Sequence, residues 1–148
     1  MLVTSLFVSV YPQKNLLNEG EKQQKILLSL AQTLYAEKEY MQVIPILNDF
    51  ADLYPESHFL IRAMEILAVT YEKVQMFDKA LVTYEKLYQI SGLTGNGLDY
   101  YYNQARILYI MGDEKKSNKI YNDIINLSPD SHIARKAKIN QDLSTLFQ

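Results

Sequence analysis

The chain has no cysteine, no tryptophan and only two histidines in 148 residues. Without cysteine there is no disulfide framework, no thiolate zinc site, no thiol nucleophile and no sulfur-linked lipid anchor. An excess of positive charge is missing as well. Fifteen Lys and Arg against 17 Asp and Glu leave a formal net charge of −2, with a pI near 5.7. Nucleic-acid binders need a basic stripe to displace counterions from phosphates, so nucleic acid is not an expected partner. Basic clusters exist (Lys115, Lys116, Lys119; Arg135, Lys136, Lys138), but acids are interspersed among them. Long apolar runs are absent too. The run from Leu2 to Val10 is too short to cross a bilayer as a helix, so no membrane span is expected. Neither a hydrolase elbow nor a phosphate-binding loop occurs.

What the chain does have is repetition. Tyr71 to Ser91 has a counterpart 37 residues earlier, Leu34 to Tyr54, and another 37 later, Leu108 to Ser128. The shift holds at every anchor: Ala31, Ala68, Ala105; Leu34, Tyr71, Leu108; Leu47, Tyr84, Tyr121; Phe50, Leu87, Ile124; Pro55, Gly92, Pro129. A fixed period of this size marks stacked units that bury their apolar faces against neighbours.

Apolar residues at three-and-four spacing predict helices from Glu21 to about Tyr35 and from Tyr40 to Tyr54. Further helices are expected over 58–74, 77–90, 98–111, 114–127 and 132–147. Short connections make each pair antiparallel. Pro45 lacks an amide hydrogen, so a bend or delayed start is expected there. Pro55 should end its helix, with Ser57 capping the next. The glycines at 92, 95 and 97 read as the loosest joint. Ser131 should cap a polar terminal helix. Residues 1–13 admit three readings: the remnant of a secretory signal, an extended arm packing on the first repeat, or an artefact of the gene start.

Helix pairs with Ala31, Ala68 and Ala105 in the first helix resemble tetratricopeptide repeats. So do Tyr40 and Phe77 opening the second helix, Ala80 three residues on, and the closing Pro55 and Pro129. The usual period is about 34 residues, and the 37 here resembles the subset in bacterial envelope proteins. The resemblance implies an all-α, right-handed α-solenoid of three repeats (about 24–57, 61–94 and 98–131) with a capping helix over 132–147. Residues 1–20 would form a separate apolar segment, and 21–147 the repeat domain. Gln104, Glu114 and Asn118 stand at normally apolar columns, so the third repeat should be the least stable.

Chemistry is hard to find. His58 and His132 lie in matching contexts, PESHF and PDSHI, twice 37 residues apart, and read as helix-start residues rather than ligands. Asp78 with Glu85, and Asp113 with Glu114, sit beside lysines and read as solvated faces. No catalytic, cofactor or metal residue is expected. In tetratricopeptide arrays the first helix of each pair lines a groove for a peptide or a helix. Matching columns would place there Lys25, Leu28, Gln32 and Tyr35, then Arg62, Glu65, Val69 and Glu72, then Asp99, Tyr102, Arg106 and Tyr109. The partner would cross Tyr35, Glu72, Tyr102 and Arg106, although any of these tyrosines could instead pack on a neighbouring helix. The function implied is a non-enzymatic interaction scaffold for a protein or peptide, in a bacterial envelope assembly and hence the periplasm. Alternatives are a cytoplasmic adaptor, or a structural module that self-associates as a homodimer.

Overall fold

The structure, a computed structural model, describes residues 10–146, with side-chain surroundings for 19–143. Among the described residues there are seven helices and no strand. They are α1 (Val10–Ala36), α2 (Tyr40–Leu53), α3 (Leu60–Lys73), α4 (Phe77–Ser91), α5 (Gly97–Ile110), α6 (Glu114–Leu127) and α7 (His132–Leu146). Contacts divide the chain into two compact units, with the boundary after Ala63, inside α3.

Most helix ends fall within a residue or two of the sequence expectation. The exception is α1, which begins at Val10 instead of Glu21. Residues 18–25 lack apolar periodicity, yet Glu, Lys and Gln propagate helix well. Two ion pairs one turn apart support them: Lys22 with Glu19 at 2.8 Å and Lys25 with Glu21 at 2.7 Å. The arm, signal and artefact readings of residues 1–13 fall mostly on 1–9, outside the described residues. Pro45 does not delay α2, which runs unbroken from Tyr40. Met41, whose carbonyl loses its amide partner to Pro45, is 64% exposed, so water can reach that end of the helix.

The three turns within repeats share one geometry, 37 residues apart. Lys38, Gln75 and Gly112 all have positive φ, at 64°, 60° and 84°. At each turn two crossed bonds close the preceding helix: Lys38 N to Tyr35 O and Glu39 N to Leu34 O in the first turn. Gln75 and Met76 donate to Glu72 and Tyr71, and Gly112 and Asp113 to Tyr109 and Leu108. This is the Schellman closure, with the left-handed residue where glycine is least strained. Only the third repeat has glycine there.

The joints between repeats also match. The amides of Ser57, Thr94 and Ser131 donate to the carbonyls of Tyr54, Ser91 and Ser128. The Thr94 hydroxyl donates to Ser91 O at 2.6 Å, as the Ser131 hydroxyl does to Ser128 O at 2.7 Å. Ser57 Oγ accepts from Phe59 N at 3.0 Å, and Ser131 Oγ from Ala134 N at 3.1 Å, as helix-start caps. The glycine-rich joint thus closes with the same turn hydrogen bond as the other two. Gly97 is buried, and a Cβ there would fall 1.8 Å from Gly92 O.

In the first unit α1 packs on α2, and Leu28, Ala31, Val43, Leu47 and Phe50 of these helices are all buried. In the second unit α4, α5, α6 and α7 pack successively. Ala105, Tyr121, Ile124, Ile133, Ala134 and Ala137 form its terminal core. The anchor columns hold: Ala31, Ala68 and Ala105 are each fully buried, as are Phe50, Leu87 and Ile124.

Candidate partner-binding surface

The second unit brings most of the candidate residues onto two helices. Glu65, Val69 and Glu72 follow one face of α3, and Asp99, Tyr102, Arg106 and Tyr109 the matching face of α5. Arg106 Nη2 donates to the Glu72 carboxylate, and the Tyr84 hydroxyl donates to the other Glu72 oxygen at 2.6 Å. Burial works to lower the Arg106 pKa, but the Glu72 hydrogen bond and charge outweigh it and raise it. The Tyr100 hydroxyl donates to Glu65 at 2.6 Å and the Asn96 side chain to the same oxygen at 3.4 Å. Burial, then the Glu65 hydrogen bond and charge, push the Tyr100 hydroxyl up to about 12. Both carboxylates of this face, Glu65 and Glu72, are thus engaged by the protein's own donors.

Other tyrosines are likewise engaged within the protein. Tyr88 and Tyr101 stack with ring centroids 4.5 Å apart. The Tyr101 hydroxyl donates to Asp123 at 3.0 Å, and burial followed by Asp123 raises it to about 12. Tyr102 packs against Tyr121 at 5.7 Å, and Asn140 Nδ2 donates to both hydroxyls. Tyr121 is buried and Tyr101 and Tyr102 are half-buried, and each of these three oxygens finds a polar partner. Replacing Tyr102 and Arg106 together would disturb packing and an ion pair as well as any binding.

Beside Arg106 a cleft of about 270 Å³ opens, lined by Arg106, Tyr109, Ile110, Tyr121, Asn140 and Leu143. Tyr109, Ile110 and Leu143 are 42%, 47% and 47% exposed. The α7 residues were missed in the sequence, although the period could have found them. Adding 37 to Asp99, Tyr102 and Arg106 gives Lys136, Ile139 and Leu143. The terminal helix was read as a polar cap, but Ile139 is 58% exposed. Its outward face is partly apolar.

In the first unit the candidates fare unevenly. Lys25 and Gln32 are exposed, with the Lys25 ammonium 5.8 Å from the Phe59 ring centroid. Leu28 is only 8% exposed and serves packing, so it offers a partner little surface. Tyr35 meets Tyr40 edge-on at 5.3 Å. Arg62 is exposed. A second cleft, of about 570 Å³, is lined by residues including Glu21, Gln24, Tyr54, Ser57 and His58. Among the described residues no three His, Cys, Asp or Glu side chains gather as a metal site, and no helix is long and apolar enough to cross a membrane.

Residues 99–131 match the tetratricopeptide repeat family. No curated protein matches the chain by sequence. Among solved structures the chain is similar to PcrH in complex with the chaperone binding region of PopB. Identity there is 15% and the TM-score 0.64, over 80% of this chain and 94% of that one. It is also similar to the TPR domain of Arabidopsis OM64, at 12% identity and TM-score 0.61, over 79% and 92% of the two chains. Identities this low speak to fold.

Proposed function

We infer that this chain, a tetratricopeptide repeat protein by its fold and by residues 99–131, holds a peptide or helical partner on its first-helix columns. Proteins of this fold are interaction scaffolds and in general not catalysts. The observation that carries the placement is the half-exposed aromatic and apolar rim of Tyr109, Ile110 and Leu143 around a cleft that also takes in Arg106. Tyr and Arg are enriched at binding hot spots, and a desolvated cleft is where such residues contribute most. Supporting it, the structure similar in 80% of this chain is a complex with a partner's chaperone binding region.

The finer reading, a bacterial envelope assembly, is supported by the 37-residue period and the Pro55–Ser57 and Pro129–Ser131 joints. Fractionation of source cells tests it: recovery in the cytosol would replace it with the adaptor reading. For the binding face, the test is affinity capture with the wild-type chain and with Tyr109→Ser. Tyr109 is 42% exposed, so the variant should keep its helical circular dichroism. A partner held by the wild type and lost by the variant is expected. Equal retention moves the site elsewhere.

A further inference from the structure

Resting on that reading, we propose that α7 extends the binding face with an apolar subsite, and that it takes a bulky apolar side chain flanked by Asp or Glu. The first observation is register. Lys136, Ile139 and Leu143 stand on α7 where Asp99, Tyr102 and Arg106 stand on α5, and Arg106 and Leu143 line one cleft. The second is exposure. A terminal repeat helix needs a polar outer face for solubility, yet Ile139 and Leu143 are 58% and 47% exposed, and Tyr109 and Ile110 line the cleft together with Leu143. At about 270 Å³ the cleft is below the roughly 300–1,000 Å³ of small-molecule sites, which suits one side chain better than a cofactor.

Charge selects the neighbour of that side chain. Lys136 and Lys138 are exposed on the turn just before and beside Ile139, and among the described residues neither forms an ion pair. Arg135 is held by the Asp130 carbonyl at 2.9 Å. A carboxylate next to the apolar anchor would meet these ammonium groups at the rim, where complementary charge sets orientation and encounter rate.

The test selects random phage-displayed peptides on the full chain, then titrates the enriched peptides, synthesised with a fluorescent label, by anisotropy. Titrations use the wild type, Leu143→Ser, Lys136→Glu and Tyr109→Ser, at low and high salt. Enriched peptides should carry Leu, Ile or Phe beside Asp or Glu. Leu143→Ser should weaken them about tenfold or more. Lys136→Glu should weaken them a few-fold and flatten the salt dependence. Enriched peptides without acid, or binding indifferent to both α7 variants, would overturn the proposal. So would wild-type self-association in sedimentation that Leu143→Ser abolishes, which would assign the strip to a second copy. Peptides lost on Tyr109→Ser yet indifferent to the α7 variants would remove this subsite and leave the scaffold reading standing. Failure to select any peptide would count against both.

Discussion

Arg106 and Glu72, thirty-four residues apart, form an ion pair that also anchors Tyr84. Their side chains are 33% and 16% exposed, so the pair is neither a loose surface contact nor a dry buried one. Removing the guanidinium leaves a mostly covered carboxylate with one donor lost. Arg106→Ala should therefore cost about 2 kcal/mol in urea unfolding. Glu72→Gln with Arg106 intact should cost less, since the amide keeps an acceptor for the Tyr84 hydroxyl. A double-mutant cycle with no coupling between the two positions would show the pair to be incidental.

Gly97 and Gln75 make opposite predictions about glycine. At Gly97 a Cβ would strike the Gly92 carbonyl backbone, so Gly97→Ala should destabilise by more than about 2 kcal/mol. Gln75 has φ near 60° without being glycine. Gln75→Gly should raise stability by about 1 kcal/mol, because the left-handed region costs other residues roughly that much. Thermal melting of both variants checks the signs.

High pH should unfold the second unit through its tyrosines. Tyr100 and Tyr101 are raised to about 12 when folded, against an ordinary value near 10. A raised folded value means the neutral hydroxyls contribute stability that is fully present below about pH 10. That contribution is lost as pH climbs through about 12. Tyr100→Phe and Tyr101→Phe should each flatten the decline in stability above about pH 10. An unchanged alkaline profile in both variants would refute the assignment.

The fold was legible in the sequence because burial repeats. Ala31, Ala68 and Ala105, or Phe50, Leu87 and Ile124, occupy fully buried columns, and the 37-residue shift exposes them without any structure. The start of α1 was not legible, since a polar run held by Glu and Lys pairs carries no apolar period. The glycine joint is a related case. Glycine signals freedom on paper, but Thr94 repeats the Ser57 and Ser131 turn and Gly97 is small because backbone crowds it. The binding face was legible as columns but not as chemistry. Glu65 and Glu72 look like available charge until Tyr100, Tyr84 and Arg106 are seen to engage them. Ile139 and Leu143 were hidden because a polar capping helix, and not one more turn of the period, is expected over 132–147.

Gln104 tests whether the third repeat is weakened by its polar columns. It is buried at 5% exposure, and among the described residues its amide nitrogen reaches only the Tyr84 carbonyl, at 3.4 Å. That length is beyond the usual range for a good bond, so the amide is desolvated for little return. Leucine is close in volume, though one bond shorter, and has no polar atoms. Gln104→Leu should gain about 1 kcal/mol in urea unfolding. In native-state amide exchange the wild-type protein should exchange faster over 98–127 than over 58–90, and Gln104→Leu should narrow the gap. Equal protection of the two stretches in the wild type would mean that the tyrosine network, with Tyr101 on Asp123 and Tyr102 on Asn140, already compensates for the polar columns.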